Sequence, residues 1–125
     1  MEENEISFAI RGAVFEVYNE YGPGLLESAY EAAMLHVMKT QGLRVKSQVR
    51  LPLFFKGEDL QRHYKLDIVV ERKVIVEIKS VEHLMPVHHL QLLTYLRLSG
   101  LKLGLLVNFN TNNVAEAIHR KVNKL

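Results

Sequence analysis

Two segments near the N-terminus place apolar residues at helical spacing. In ISFAIRGAVFEVYNEYG the stripe has members three and four residues apart: Ile6, Ile10, Ala13, Val14 and Val17. After the sequence GPG at 22–24, a second stripe consists of Leu26, Tyr30, Ala33, Met34, Val37 and Met38. Residues at this spacing lie on one face of a helix. The pattern therefore predicts two helices, the second of which ends at Gly42.

The rest of the chain alternates between extended and helical patterns. RVKSQVRLPLFFKG, HYKLDIVV and KVIVEIK read as strands, with Gly57 in a turn and Pro52 at an edge or bulge. PVHHLQLLTYLRLSG predicts a third helix, KLGLLVNF a strand and NNVAEAIHRKVNKL a last helix. The predicted order is α-α-β-β-β-β-α-β-α. This order is typical of one α/β domain over residues 1–125, with a central mixed sheet flanked by helices.

The segment YKLDIVVERKVIVEIK, residues 64–79, predicts a hairpin whose register follows from its apolar positions. A three-residue loop at 71–73 pairs Asp67 with Glu77 and leaves one face wholly apolar: Leu66, Ile68, Val70, Val74, Val76 and Ile78. A two-residue loop would instead separate Asp67 and Glu77 onto opposite faces. The three-residue loop is therefore favoured, with Asp67, Glu77 and Lys79 on a face where nothing requires them to be buried.

Two carboxylates in this position have two interpretations. Opposed like charges destabilise a strand pair, and a divalent cation such as Mg²⁺ or Mn²⁺ would offset the repulsion between Asp67 and Glu77. Lys79 would then contact a substrate phosphate or a metal-bound water. In the other interpretation, Asp67 and Glu77 form salt bridges with Lys79 and Lys65 on a solvated sheet face. The hairpin alone does not decide between them.

Composition narrows the class of protein. The chain has 125 residues, is 48% hydrophobic and carries a formal net charge of +2, which is compatible with a nucleic-acid partner without identifying one. The absence of cysteine excludes disulfides, thiolate catalysis and zinc–thiolate sites. The acidic start MEENE lacks a signal-peptide pattern, and no apolar stretch approaches the length of a membrane span. We therefore expect a cytoplasmic protein without a membrane anchor.

Further candidate residues lie on the predicted helices and strands. Glu27 lies in the first turn of the second helix, where a carboxylate suits the helix dipole even without a catalytic role. Gln91 and Tyr95 are one turn apart on the third helix, a spacing also usual for residues at a core boundary. Arg44, Lys46 and Arg50 on the first extended segment either contact phosphates or form a solvated face.

Taken together, these stretches resemble a known family. GPGLLESAYE contains Gly24, Glu27 and Tyr30 and resembles the GxxExxY motif that names a small bacterial and archaeal protein family. KLD…EIK resembles the bipartite signature of the PD-(D/E)XK nuclease superfamily, to which that family is assigned, with Leu66 in place of the proline. QLLTY resembles the Q-x-x-x-Y element of related nucleases, and GLLVNF their last core strand. The resemblance runs from about residue 10 to about residue 109.

The resemblance implies a restriction-endonuclease-like fold and metal-assisted hydrolysis of phosphodiester bonds in DNA, with RNA as the other candidate substrate. It implies that Asp67 and Glu77 bind one or two Mg²⁺ ions, with Mn²⁺ as the alternative, and that Glu27 is a further acidic ligand or orients a metal-bound water. Lys79 would stabilise the phosphate undergoing attack or help to deprotonate the water. Gln91 and Tyr95 would position groups of the metal site or the nucleic-acid backbone.

Other functions stay open for the sequence. A non-catalytic nucleic-acid-binding or protein-interaction module could retain the nuclease fold without its activity. An enzyme that is active only with a partner is a further alternative. A homodimer would supply two sites for the two strands of a duplex, and the apolar residues Leu51, Leu53, Phe54 and Phe55 are candidates for its interface, although burial in the core is their default.

Overall fold

Both predicted N-terminal helices are present in the computed structural model, which describes residues 1–125. Helix α1 spans Glu3–Tyr21 and helix α2 spans Glu27–Thr40. At the start of α1 the Glu5 side chain accepts the Glu2 N–H, and so satisfies a backbone donor outside the helix. No helix of the structure is both long and apolar enough to span a membrane.

Five strands form one mixed sheet in their order along the chain. Their bounds are β1 Val45–Phe55, β2 Glu58–Val70, β3 Val74–Lys79, β4 Leu103–Asn108 and β5 Ile118–Val122. Strands β3 and β4 are parallel, and the other neighbours are antiparallel. The helix α3, Pro86–Ser99, supplies the crossover that a parallel pair requires. The predicted α/β fold class, with helices around a mixed sheet, is confirmed.

The hairpin between β2 and β3 has the predicted loop and register. Ile68 pairs with Val76 and Val70 with Val74, which leaves residues 71–73 as the loop. Glu71 and Arg72 have φ angles of +53° and +58°, a left-handed conformation suited to a tight hairpin. The apolar alternation therefore identified the pairing correctly.

The sheet separates two apolar clusters of unequal size. On one face, α1 and α2 cover β3 and β4 and form a cluster of 20 buried residues that includes Ile10, Met34 and Val76. On the other face, α3 covers a cluster of seven that includes Ile75, Leu92 and Leu106. The second face also carries Glu77, which is buried, so the expectation that the charged face needs no burial is wrong for this residue, whereas Asp67 and Lys79 are half-buried.

Leu66 departs from the predicted face. It packs in the smaller cluster under α3, whereas Ile68, two residues on, packs in the larger one. The alternation of β2 is therefore broken at Asp67. In β1, Gln48 lies between the partners of Ile68 and Leu66 and has a left-handed φ of +51°. The irregular residue of β1 and the change of face in β2 thus lie at the same level, where strict alternation failed.

The outer halves of β1 and β2 form a long hairpin, which we call the arm and define as residues 50–65. Residues 58–65 of the arm are all exposed. Pro52 lies in this edge strand, beside a register shift between Pro52 and Phe54, so both sequence interpretations of the proline are confirmed. Of the apolar candidates for a dimer interface, Leu51 is buried, whereas Phe54 and Phe55 are exposed near the tip.

The chain order differs from the predicted one at two points. Three strands, not four, precede α3, because β1 and β2 are long and continuous. The predicted last helix is wrong: residues 114–117 form a single 3₁₀ turn, and β5 follows it. Val114, Ile118 and Val122 imitate a helical stripe by their four-residue spacing. However, the open edge of β4 offers backbone partners, from Val107 for Ile118 to Leu103 for Val122, and the strand forms instead.

Candidate active site

The candidate site lies where β2 parts from β3. Ladder pairing between the two strands stops at Ile68 and Val76, and the next two opposed residues are Asp67 and Glu77. The Ile78 N–H donates to Asp67 Oδ2 at 2.8 Å, and the Asp67 N–H donates to Glu77 Oε1 at 3.2 Å. Each carboxylate therefore accepts a backbone donor of the other strand. The pair is held in place by the chain itself, and each carboxylate keeps a second oxygen.

Burial sets the charge of Glu77. The residue is only 5% exposed. Burial under α3, and secondarily the negative charge of Asp67, raise the pKa of Glu77 from 4.5 to about 9, and the opposing effect of Lys79 is smaller. Without a further positive charge, Glu77 is therefore protonated at neutral pH. A buried carboxyl of this kind next to a second carboxylate is typical of functional sites.

The loop before α2 contacts the end of β3. Ser80, directly after Lys79, donates its N–H to Glu27 Oε2 at 3.1 Å and its hydroxyl to the Leu25 carbonyl at 2.7 Å. Glu27 is thus brought to the strand that carries Glu77 and Lys79. Its observed contact is a hydrogen bond with the backbone. The role of Glu27 as a metal ligand stays a prediction.

Tyr30 holds this loop in shape. The residue is fully buried and stacks on Phe109 with the ring centroids 4.3 Å apart. Its hydroxyl donates to the Gly22 carbonyl at 2.5 Å and accepts the Leu25 N–H at 3.2 Å. Gly24, between them, has a φ of +111°, which side-chain-bearing residues rarely adopt. Gly24 and Tyr30 therefore shape this loop, and Glu27 is the first residue of the helix that follows it.

Asn108 supports the same strand end from β4 and was missed by sequence reasoning. It is buried, and its side chain accepts the Val81 N–H and donates to the Val81 carbonyl, at 3.0 and 2.9 Å. Together with the Ser80 contacts, these bonds fix the backbone that follows Lys79. The signal available in the sequence was a polar residue within the apolar run GLLVNF, at the carboxyl end of a parallel strand.

Glu31 is a second residue of α2 near the site. Burial, and the charge of Asp67 as a smaller cause, raise the pKa of Glu31. Its carboxylate accepts the side-chain amide of Gln48 at 3.1 and 3.2 Å. Gln48 is the left-handed residue of β1 opposite Asp67, so this contact connects α2 with the break in both strands. Glu31 follows Glu27 by one helical turn, a spacing that the sequence showed without indicating which carboxylate is nearer to Asp67.

Tyr95 and Gln91 approach the site from α3. Tyr95 is 5% exposed, and its ring centroid lies 5.4 Å from that of Tyr64. Burial, followed by the charge of Glu77, raises the pKa of Tyr95 to about 12, so its hydroxyl stays protonated. Gln91 is exposed and lines a shallow groove beside Tyr64 and Tyr95. The structure thus places Tyr95 near the carboxylates, whereas Gln91 lies at the edge.

The side chains form a pair of acids with neighbours rather than a closed metal cage. No group of three or more His, Asp or Glu side chains converges closely enough to hold one metal ion. No buried side-chain nitrogen or oxygen lacks a hydrogen-bond partner. The pair offers a cation two carboxylates from neighbouring strands.

Comparisons with known proteins bear on this geometry. A family model described as the PD-(D/E)XK nuclease superfamily matches residues 4–121. No curated protein matched the sequence, and no solved structure matched it either. The matched range includes every residue of the candidate site.

Proposed function

The chain belongs to the PD-(D/E)XK nuclease superfamily, and we propose that it hydrolyses phosphodiester bonds in DNA, with a divalent cation, at the site of Asp67, Glu77 and Lys79. The observation that carries this proposal is the carboxylate pair at the parting of β2 and β3. Two acids held by each other's backbone, one of them buried, form a costly arrangement that a bound cation would offset. RNA is the alternative substrate.

The residues present fit a hard cation. Asp67 and Glu77 offer oxygen ligands, which Mg²⁺ prefers, and each keeps one oxygen that accepts no backbone donor. Mn²⁺ fits the same donors. We propose Glu27 as a further acidic contributor, because its carboxylate already lies at Ser80. When bound, the cation supplies a Lewis acid for a phosphoryl oxygen and lowers the pKa of its water.

The other residues have roles that follow from their positions. Lys79 lies near enough to Glu77 for its charge to favour ionisation of that carboxyl, and it can stabilise negative charge on the phosphate. The protonated hydroxyl of Tyr95 can donate a hydrogen bond towards the carboxylates or the substrate. Gln91 at the groove edge can contact the nucleic-acid backbone. A G-x-x-E-x-x-Y type of nuclease is supported by the loop that Gly24 and Tyr30 shape and by Glu27 directly after it.

A non-catalytic nucleic-acid-binding module is the second candidate. It is favoured by the absence of a group of three acidic or histidine side chains around one point, and by the raised pKa that leaves Glu77 neutral without a cation. In this case the pair would be a proton-sharing structural element. A homodimer stays a prediction under either function.

The decisive experiment is a cleavage assay. Supercoiled, linear and single-stranded DNA and a single-stranded RNA are incubated with the protein in Mg²⁺, Mn²⁺ or EDTA. We expect cleavage with a metal only, and a loss on the order of 10³-fold in Asp67→Asn, since a positioned metal is worth several kcal/mol in the transition state. Glu20→Gln, an exposed carboxylate-to-amide change on α1, is the control and should retain activity.

Two outcomes contradict the proposal. Cleavage by Asp67→Asn at the wild-type rate would indicate a contaminating nuclease. Nucleic-acid binding without cleavage in any metal would instead support the non-catalytic module, provided that circular dichroism shows folded protein.

A further inference from the structure

A second pair of like charges lies next to the carboxylates, on the neighbouring strand pair. Arg50 of β1 is directly opposite Lys65 of β2 in the register of the arm. Directly opposed residues share a face, with Cβ atoms about 5 Å apart, and like charges there are destabilising. Lys65 precedes Asp67 by two residues along β2, so the basic pair lies at the base of the arm, close along the strand to Asp67.

No acidic side chain neutralises this pair. The ion pairs of the structure are Arg44 with Glu71 and His83 with Glu82, and neither includes Arg50 or Lys65. Both residues are exposed, and neither is among the arginine and lysine side chains that donate hydrogen bonds, which are Arg44, Arg62, Lys73 and Arg120. The next opposed pair on the same face is Pro52 with His63, which adds no carboxylate. The pair therefore presents two positive charges to an external partner.

The charge of the arm is consistent with a polyanion as that partner. Residues 50–65 contain four basic and two acidic residues, so the arm carries a net charge of +2, as much as the whole chain. The remainder of the molecule is balanced. The excess positive charge is thus concentrated on the element that is continuous with the strand bearing Asp67.

The other face of the arm is engaged within the protein. Leu51 is buried in the cluster under α3, and its opposed partner Tyr64 contacts Tyr95. The base of the arm is therefore anchored on one side by packing and free on the other. The basic pair therefore lies on the face of the arm opposite Leu51 and Tyr64, on the strand that leads to Asp67.

We propose that Arg50 and Lys65 form a phosphate-binding clamp that holds the nucleic-acid backbone beside the site. The clamp extends the proposed nuclease function, on which it rests, by naming the element that holds the substrate strand. It recognises phosphate and not base sequence. The Lys65 ammonium and the Arg50 guanidinium are both exposed, and neither borders a pocket that could hold a base. Removing two phosphate contacts reduces the salt dependence of binding as well as the affinity.

The test measures binding without catalysis. Fluorescence anisotropy of a labelled duplex and of the matching single strand is followed in EDTA over a series of salt concentrations. In Arg50→Ala/Lys65→Ala we expect the slope of log affinity against log salt to become less steep by about 2, roughly 1 for each lost contact. Arg50→Lys/Lys65→Arg keeps the charges and should retain the slope.

The matched control is Arg97→Ala/Lys102→Ala. It removes one arginine and one lysine, both exposed, beside Gly100. This site lies at the amino end of β4, whereas Asn108, the partner of Lys79, lies at its carboxyl end. The control should leave the slope unchanged. Equal slopes for control and clamp variants would overturn the proposal.

A charge reversal separates the clamp from a merely structural role. Arg50→Glu places opposite charges across the ladder, so its melting temperature should not fall, while its affinity for both probes should fall below that of Arg50→Ala. Wild-type affinity in Arg50→Glu would overturn the proposal. A competition experiment gives a second way to overturn it. If poly-glutamate displaced the probe as efficiently as unlabelled duplex at equal charge, the partner would be an acidic protein.

The two proposals fail in different ways. Metal-dependent cleavage together with clamp-independent binding would overturn the clamp and leave the nuclease function intact. Clamp-dependent binding without cleavage would support the clamp and contradict the nuclease function. Wild-type protein that binds neither probe would contradict both.

Discussion

The two faces of the sheet differ in the side chains that they bury. The face under α1 and α2 carries a hydrophobic cluster of 20 buried residues, and the buried polar residue of α1 is the uncharged Ser7. The face under α3 carries a cluster of seven, which includes Tyr95 with its hydroxyl, and beside this cluster lies the buried carboxyl of Glu77. Burying apolar surface stabilises a fold, whereas burying a carboxyl costs free energy unless it is neutral or paired. The comparison indicates that the larger face offsets the cost of the smaller one.

This difference gives the two faces opposite expected responses to mutation. A truncation on the larger face should lower the free energy of unfolding and leave the chemistry of folded molecules intact. A carboxyl-to-amide change on the smaller face should abolish activity. It should also raise the free energy of unfolding at pH values where the carboxyl would be ionised. Sites where function and stability oppose each other are expected to show this pattern.

The largest effect is expected for the pH dependence of the metal-free protein. The folded pKa of Glu77, about 9, lies above its ordinary 4.5, so between these values the folded state holds a proton that the unfolded chain has lost. The stability contributed by this proton is complete below the ordinary pKa and is lost as pH rises through the folded one. We expect a fall of about 1 kcal/mol per pH unit, several kcal/mol over the window.

Urea denaturation in EDTA, at a series of pH values across this window, measures the fall. In Glu77→Gln the fall should be much smaller, and the variant should exceed wild type in stability at alkaline pH while lacking cleavage activity. Mg²⁺ should reduce the fall in wild type, since it binds the ionised pair. Glu116→Gln, an exposed counterpart, serves as the control. Parallel curves for wild type and Glu77→Gln would show that Glu77 is not the titrating group.

A smaller but still large effect is expected on the opposite face. Ile10 on α1 is fully buried within the larger cluster. Ile10→Ala should lower the free energy of unfolding by about 3 kcal/mol through lost burial and a residual cavity. Phe8→Ala on the same helix changes a residue that is 81% exposed and should have little effect. The cleavage rate per folded molecule should match that of wild type in both variants. A reduced rate in folded Ile10→Ala would show that the larger face also affects activity.

The parts of the molecule that were predictable from sequence depend on local periodicity. The stripes of α1 and α2 and the register of Val70 with Val74 follow from apolar spacing, because each spacing permits one arrangement with a buried apolar face. The opposition of Asp67 and Glu77 follows from that register, and the backbone hydrogen bonds between the two residues agree with it. These predictions needed no information about which element packs on which.

The parts that were not predictable depend on contacts between distant elements. Glu77 is buried because α3 covers its face, and residues 114–122 leave the helical pattern because β4 offers a free edge. Likewise, Asn108 and Glu31 matter through Val81 and Gln48, which are far away in sequence. A single sequence does not specify these contacts, so the sequence left open whether the charged face holds a cation or is solvated, and it did not indicate that Glu77 is buried.

The smallest predicted effect compares one substitution on the two faces. A Cβ added to Gly104 in β4 would lie 2.8 Å from Leu92 Cδ1, so α3 packs too closely on this strand to leave room for a side chain at this position. Gly104→Ala should cost about 1 kcal/mol, since the end of the Leu92 side chain can give way in part. Because Tyr95 lies on the same helix three residues after Leu92, displacement of α3 should also lower the cleavage rate.

Gly12→Ala is the matched change on α1. Gly12 is exposed, and a Cβ there would meet nothing within 4 Å. Alanine in a helix interior is favoured over glycine by about 0.5–1 kcal/mol, so the variant should be more stable than wild type and equally active. Urea denaturation and the cleavage rate of both variants measure the contrast. Gly104→Ala could also lower stability without changing the cleavage rate. In that case the spacing of α3 from β4 would matter only for packing, and Tyr95 would be a core residue without a role in cleavage.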